Sequence, residues 1–250
     1  MKRYFFLVCF IFLSNLFSGD FVLPERLKNN VVYLNSFETE NGKAEINLWN
    51  IEEQIISSRI IQDEIFEKSY VSSLKPPPKT GYGDETMILK SNKFSPERGL
   101  TISFWWRFKE KKVFPFTLFV FRGENGNFSC ALQEENWGQF NFSLKGTKPQ
   151  VGRFNANPYK TEIKNTVITF SAGGLEIKLY QNSQLVVDIT SKRPINENDG
   201  FKQIFIGDQG KIEILIDDIL ILDRPVDLNE IKDYYNMKKV YYEYKKGREI

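Results

Sequence analysis

A pair of carboxylate side chains at a suitable spacing could hydrolyse a glycosidic bond, and this chain contains several such side chains close together in sequence. A retaining glycoside hydrolase holds an acid and a nucleophile about 5–5.5 Å apart. Glu134 and Glu135 are adjacent, so in a strand their side chains point to opposite faces. Glu197 and Asp199 lie in the turn-like stretch NENDG. Because no pair has a suitable spacing, the sequence predicts that the protein is not an enzyme.

The absence of histidine and the balance of charge exclude several further classes of function. The 250 residues include no histidine, which rules out Ser-His and Cys-His catalytic sites and zinc sites with histidine ligands. The formal net charge is +2, from 34 basic and 32 acidic residues. A nearly neutral chain has no broad electrostatic attraction for nucleic acid, so nucleic acid is not an expected partner.

Calcium binding is the metal chemistry that remains, because calcium takes carboxylate and carbonyl oxygens as ligands. The candidate ligands are Asp208, Asp217, Asp218 and Glu124. The same side chains can instead accept hydrogen bonds from turns and loops, and we favour that interpretation. We therefore predict no metal site and no cofactor, with calcium as the alternative.

Exposed aromatic rings could bind a sugar, because the apolar face of a sugar packs against such a ring. Trp137 follows Asn136 at the tip of an expected hairpin, and Trp105 stands near Arg107 on an expected strand. Each ring has an alternative: Trp137 folds over the sheet, and Trp105 packs beneath a loop. With two residues of the loop-rich segment 148–162 added, the candidate ligand-binding residues are Trp137, Asn136, Trp105, Arg107, Tyr159 and Arg153.

The stretch GLTISFWWRF, residues 99–108, contains two adjacent tryptophans, and its pattern assigns them to opposite faces of a strand. Side chains alternate across a strand. Ile102, Phe104 and Trp106 share a wholly apolar face, whereas Trp105 and Arg107 share the other face with small polar residues. We expect Trp106 in the core and Trp105 on the outer face.

Residues 1–19 have the layout of a secretory signal peptide. A basic start at residues 2–3 precedes an apolar run over residues 4–13, and small residues follow at 18–19. The run is shorter than the roughly 20 residues of a spanning helix, so cleavage is expected and an uncleaved anchor is the alternative. The mature chain is then secreted, periplasmic or on the cell surface. It keeps one cysteine, Cys130, and forms no intramolecular disulfide.

Strand-like segments separated by turns dominate the rest of the chain, and this spacing predicts a β-sandwich. The acidic stretch 37–67 has no clean period, so a helix and irregular strands are both open. A short helix is expected after the capping-box pair Asp227 and Glu230. Residues 237–250 form a basic Tyr/Lys-rich tail. We interpret it as a solvated extension of that helix, with a docking element for a partner as the alternative.

Several of these stretches resemble the laminin-G-like, concanavalin A-type domains. GLTISFWWRF is similar to a family strand that commonly reads FTISFWVKP, and VVYLNSFE at residues 31–38 is similar to the opening strand. The hairpin LEIKLYQNSQLV, the strand IFIG and the closing segment ILIDDILILDRPVDLNEIKDYYN also match. The resemblance covers about residues 31–236. It implies a jelly-roll sandwich of two antiparallel sheets over residues 20–236, with the first strand beside the last.

The resemblance implies an extracellular domain that binds glycan or a protein partner, sometimes through calcium. Enzymes of this fold carry carboxylates in patterns such as E-x-D-x-x-E on one strand, and this chain lacks that pattern. The leading interpretation is a secreted, non-catalytic binding module that recognises glycan or a surface protein. The alternatives are a structural component of a cell envelope or extracellular assembly and an unusual glycan hydrolase. No membrane span is expected after signal cleavage.

Overall fold

The computed structural model describes residues 23–39, 41–54, 59–72, 87–109, 116–123, 127–133, 139–144, 150–153, 162–190, 201–207 and 213–247. The helices in these ranges are α1 (Glu25–Lys28) and α2 (Leu228–Gly247), and Pro96–Arg98 forms a 3-10 turn. The strands are β1 (Val31–Asn35), β2 (Ile46–Asn47), β3 (Glu52–Gln54), β4 (Ile60–Asp63), β5 (Glu67–Ser72), β6 (Met87–Lys90), β7 (Leu100–Phe108), β8 (Phe116–Gly123), β9 (Asn127–Gln133), β10 (Gln139–Leu144), β11 (Gln150–Arg153), β12 (Lys164–Phe170), β13 (Glu176–Gln181), β14 (Gln184–Thr190), β15 (Phe201–Ile206) and β16 (Ile214–Leu222).

The strands form two antiparallel sheets. Sheet A has the order β14-β13-β12-β7-β16-β1-β2, and the β4–β5 hairpin pairs with the other end of β16. Sheet B has the order β11-β10-β9-β8-β15-β6-β3. The first strand lies beside the last, with Tyr33 opposite Ile221. This confirms the predicted all-β jelly-roll sandwich and the predicted pairing of its ends.

The core lies between the two sheets, and Trp106 is part of it as predicted. Trp106 is 0% exposed and belongs to one apolar cluster with Ile102 and Phe104 of β7. Phe104 stacks on Phe119 of sheet B at a centroid distance of 6.1 Å. The indole Nε1 of Trp106 donates a hydrogen bond of 2.9 Å to Thr166 Oγ1, so its one polar atom has a partner inside the core.

A second apolar layer covers the outer face of sheet A. Trp105 and Leu215 on the sheet share an apolar cluster with Leu27 of α1 and Ile231 of α2. Trp105 is therefore only 1% exposed, and its ring stacks on Tyr235 at 5.6 Å with an interplanar angle of 4°. The alternation of side chains predicts the outer face correctly, but the helix that covers this face removes Trp105 from the surface.

The start of α2 confirms the predicted capping box. Asp227 Oδ1 accepts a 2.9 Å hydrogen bond from the Glu230 N–H, and the Asp227 N–H donates a 3.0 Å hydrogen bond to Glu230 Oε2. Arg224 Nη2 lies 2.6 Å from Glu230 Oε1. This hydrogen-bonded guanidinium lowers the pKa of Glu230. Arg224 Nε also donates to Asn30 Oδ1 at 2.8 Å, which joins the helix start to the chain before β1.

The helix continues through residues 237–247, within the segment predicted to be a solvated tail. Tyr234, Lys238 and Tyr242 are spaced four residues apart, share one helix face and are buried. The prediction of a helix extension is confirmed, but the prediction that it is solvated is wrong for this face. In the acidic stretch 37–67, the structure has strands β2, β3 and β4, which decides between the two open alternatives.

Candidate functional site

Several predicted site residues lie outside the described part of the chain. Trp137, Asn136 and Tyr159 fall there, as do the calcium candidates Glu124 and Asp208. Arg153 ends β11, and its side chain also lies outside the described part. Their assignment to ligand binding stays a prediction.

Trp105 and Arg107 do not form the expected binding face. Trp105 lies beneath α2, and Arg107 is buried on the same side of sheet A. Arg107 Nη2 donates a hydrogen bond to Asp63 Oδ2 and lies 3.7 Å from Glu64 Oε1. Because the guanidinium is committed to carboxylates of the β4–β5 hairpin, it joins that hairpin to β7. The prediction of an exposed Trp105–Arg107 surface is wrong.

Asp217 and Asp218 belong to a buried polar group that we call the acid cluster, together with Lys238 and Tyr242 of α2. The two aspartates lie where the pairing of β16 with β7 is irregular, and Asp218 has a positive φ of 46°. Lys238 Nζ lies 2.5 Å from Asp218 Oδ2. The Tyr242 hydroxyl contacts Oδ2 of both aspartates and lies 3.0 Å from that of Asp217.

The surroundings of Asp217 favour its protonated form. Burial and the neighbouring Asp218 charge raise the pKa of Asp217 well above its usual range. The Tyr242 hydroxyl has one proton and donates to one oxygen only, so a proton on one of the two carboxyl groups would satisfy its second contact. Lys238 neutralises Asp218. The described residues contain no group of three or more carboxylate, cysteine or histidine side chains that could hold a metal ion. Both aspartates are in contact with side chains of α2, and calcium binding together with Asp208 or Glu124 stays the alternative.

A solvent-facing groove of about 430 Å³ lies on the edge of the sandwich, where the turn after β2 meets the ends of β6 and β15. We call it the Trp49 groove. Among the described residues, the lining consists of one aromatic side chain and eight polar or charged ones. They are Trp49, Asn50, Glu52, Lys90, Ser91, Asn92, Lys93, Lys202 and Gln203.

The turn that carries Trp49 is fixed by a side chain. Asn47 Nδ2 donates a 2.9 Å hydrogen bond to the Ile51 carbonyl, and Asn47 Oδ1 accepts a 2.7 Å hydrogen bond from the Ile51 N–H. The Trp49 ring meets Phe94 edge to face at 6.3 Å, and Phe94 belongs to the core. Trp49 is therefore a half-buried ring that packs on the core and also lines the groove.

Three strands of sheet B present a row of polar side chains to the groove. Glu52 of β3 and Gln203 of β15 both lie opposite Lys90 of β6. Their neighbours Leu89 and Ile204 point into the core, so Lys90 and Gln203 point outward. The loop after β6 is tied to β15, because the Ser91 N–H donates a 3.0 Å hydrogen bond to the Lys202 carbonyl.

No ligand-binding role is predicted for Trp49 from the sequence. It lies in the acidic stretch 37–67, whose secondary structure the sequence leaves open. A usable signal is the pair of asparagines that flank the tryptophan in Asn47-Leu48-Trp49-Asn50, since asparagine favours turns. A tryptophan at a turn is a candidate for a fixed, accessible ring.

A second groove, of about 380 Å³, lies between α2 and the turn after β13. Its lining includes the partly exposed Tyr235 as well as Trp105 and Tyr242, which are both 1% exposed. Rings that are so nearly closed off offer a ligand little contact area. We favour the Trp49 groove because its ring is partly exposed and its other described lining residues are all polar or charged, whereas the second groove also includes Ile65 and Ile163.

Comparison with known proteins identifies the family and the fold. The model of the concanavalin A-like lectin/glucanases superfamily matches residues 81–232. Similar solved structures include the botulinum neurotoxin serotype D binding domain, with TM-score 0.61 and 13% identity over 85% of this chain and 53% of that one. The binding domain of Paraclostridial Mosquitocidal Protein 1 has TM-score 0.62 and 16% identity over 84% of this chain and 53% of that one.

A third similar structure is the botulinum neurotoxin serotype D ligand binding domain in complex with N-acetylneuraminic acid, with TM-score 0.62 and 14% identity over 84% of this chain and 52% of that one. The chain thus spans about half the length of each of these similar structures, and at such identities the likeness is one of fold. No curated protein matches the chain. In the described ranges, neither helix has the length and apolar character needed to cross a membrane.

Proposed function

The chain belongs to the concanavalin A-like lectin/glucanases superfamily, and we propose that it is a non-catalytic module. In this proposal it binds glycan in the Trp49 groove. The observation that carries this proposal is the position of Trp49. Its ring is held against Phe94 on one side, and it lines a groove whose other side chains are polar or charged.

The chemistry of the groove suits a sugar. A pyranose ring has an apolar face that packs on an aromatic ring, and hydroxyl groups around its edge that need hydrogen-bond partners. Asn50, Asn92 and Gln203 offer amide groups that can both donate and accept. Because hydrogen bonds within the chain fix the backbone beside Trp49, little ordering is required when a ligand binds.

Similar domains support the same function. One of the similar structures holds N-acetylneuraminic acid, and another, of botulinum neurotoxin type C, is described as interacting with two ganglioside molecules. Against catalysis stands the position of Asp217 and Asp218, which α2 closes off from solvent. A protein on a cell surface remains the alternative partner.

Secretion is part of the proposal and rests on the layout of residues 1–19. We expect the native protein to begin near Gly19 or Asp20. The intact mass of the protein isolated from its source measures this directly. A mass that includes Met1 would contradict secretion by cleavage.

A glycan array tests the function. We expect Trp49→Ala to weaken binding to the glycans that the wild type recognises by about tenfold or more, since stacking on an aromatic ring contributes roughly 1–3 kcal/mol. The matched control is Leu48→Ala, because Leu48 is 67% exposed, lies next to Trp49 and does not line the groove. Unchanged binding by Trp49→Ala would place recognition elsewhere, with Trp137 as the next candidate.

A further inference from the structure

The Trp49 groove carries an excess of positive charge. Lys90, Lys93 and Lys202 line it, whereas Glu52 is the one carboxylate among its lining residues in the described part of the chain. Charges of one sign that converge on a groove raise the local concentration of ligands of the opposite sign. The net charge of the whole chain does not reveal this local excess, because acidic residues elsewhere balance it.

Two of these lysines have no carboxylate partner among the residues that the structure describes. Neither Lys90 nor Lys93 forms an ion pair within the part of the chain that the structure describes. Lys90 lies at the centre of the polar row between Glu52 and Gln203, and Lys93 is exposed on the loop that follows β6. An unpaired ammonium group inside a ligand groove is a ready partner for an anion.

We infer that the Trp49 groove selects glycans that carry an anionic group, with Lys90 and Lys93 as its partners; this inference rests on the proposed function. The sugar ring stacks on Trp49, and Asn50 and Gln203 bind its hydroxyl groups. Glu52 repels an anion on the β3 side, so the anionic group lies towards the loop that carries Lys93.

The shared chemistry of the ligand is a sugar with a carboxylate or a sulfate. A lysine ammonium acts as a compact point charge and does not impose the planar, two-point geometry by which arginine recognises a carboxylate. The groove is therefore expected to accept both groups. Separate carboxylated and sulfated probes distinguish the two sources of charge.

Matched pairs of glycans test the inference with the full chain. The probes are neutral glycans together with their sialylated and sulfated counterparts on the same core. We expect the acidic member of a pair to bind about tenfold more tightly, since a hydrogen bond to a charged group contributes roughly 1.5–3 kcal/mol. Lys90→Gln and Lys93→Gln should each reduce the ratio of the affinity for the acidic member to the affinity for the neutral member.

Two control variants separate charge from folding and from non-specific attraction. Lys90→Arg keeps the charge and should keep the preference. Lys178→Gln removes a charge from β13 of sheet A, away from the groove, and should leave the preference for the acidic glycan unchanged. Thermal unfolding of each variant checks that the fold is intact.

The possible outcomes distinguish the inference from the function on which it rests. Equal affinity for the neutral and acidic members of every pair would overturn the inference and leave glycan binding in place. A preference for acidic glycans that survives both Lys90→Gln and Lys93→Gln would also overturn it. Binding to no glycan of the array would contradict the proposed function, and the inference would fall with it.

Discussion

At the scale of the residue, Trp105 and Trp106 show how one strand serves two apolar layers. Trp106 points into the core between the sheets, and Trp105 points into the layer between sheet A and α2. Each ring is almost fully buried although the two residues are adjacent. Both faces of β7 are therefore closed off from solvent, whereas an antiparallel sheet commonly has one solvated face.

Replacing either tryptophan by alanine should destabilise the protein. We expect Trp105→Ala and Trp106→Ala each to lower the free energy of unfolding by about 3–5 kcal/mol, because each leaves a large cavity. Trp106→Ala also removes the indole donor to Thr166. Chemical denaturation measures the change, with Leu48→Ala as the exposed control. A loss for Trp105→Ala as small as that of the control would mean that α2 does not cover it.

The acid cluster makes stability depend on pH. The pKa of Asp217 in the folded state is raised by burial and by the charge of Asp218, whereas the pKa of an unfolded aspartate is about 3.9. The folded state therefore keeps a proton that the unfolded state loses. The contribution of Asp217 to stability is complete below about pH 4 and is lost as the pH rises towards the pKa of the folded state.

Asp217→Asn should remove this part of the pH dependence. An asparagine can accept from the Asp218 N–H and donate to the Tyr242 hydroxyl, as a protonated aspartate does. We expect the variant to gain stability relative to the wild type as the pH rises from about 4 to 7. Urea denaturation across this range measures it, with Asp233→Asn on the exposed face of α2 as the control. A parallel pH profile for wild type and variant would contradict a protonated Asp217.

At the scale of the element, α2 is held to sheet A by an ion pair as well as by apolar contact. Lys238 and Asp218 are both less than a tenth exposed, and Tyr242 packs on Trp105 at 5.0 Å in the same place. Removing one partner of a buried ion pair leaves the other charge without compensation, whereas removing both can be nearly neutral. The pair therefore acts as a fixing point for the helix.

A double-mutant cycle tests this fixing point. We expect Lys238→Met to lower the free energy of unfolding by about 3 kcal/mol or more, because Asp218 loses its counter-ion. Adding Asp218→Asn should recover a large part of that loss. Lys239→Met on the exposed side of the same helix is the control. Additive losses in the double variant would mean that Lys238 and Asp218 do not interact in solution.

Sequence periodicity predicted those features of the elements that depend on local order. The alternation in β7 assigned Trp106 to the core, and the capping-box spacing placed the start of α2. It did not predict that α2 folds back over sheet A, since docking depends on contacts between distant residues such as Trp105 and Tyr235. The Trp49 groove was missed for the same reason: β3, β6 and β15 are far apart in the sequence.

At the scale of the whole molecule, the first strand β1 and the last strand β16 pair with each other and close the sandwich. β1 lies between β16 and β2 in sheet A, and the Asp223 N–H donates a 3.1 Å hydrogen bond to the Asn30 carbonyl. Leu27 of α1 packs in the same apolar layer as α2. A sheet that needs its first and last strands side by side cannot form fully without either of them.

Deleting residues 20–40 should therefore prevent cooperative folding. The deletion removes α1 and β1 and leaves the backbone groups of β16 unpaired along one edge. Thermal unfolding followed by circular dichroism measures the result, and a chain that starts at Asp20 is the control. A deleted chain that unfolds cooperatively at the temperature of the control would contradict this account of the closure.

The central claim is that the Trp49 groove binds glycan, and NMR of the tryptophan indoles tests it most directly. The chain has 4 tryptophans, so 4 indole N–H signals report on four places in the fold. Trp49→Phe identifies the signal of Trp49 with little change in packing. On titration with a glycan selected from the array, we predict that the Trp49 signal shifts while the buried Trp105 and Trp106 signals stay in place. A shift of the Trp137 signal alone would contradict the claim and move the site to Trp137.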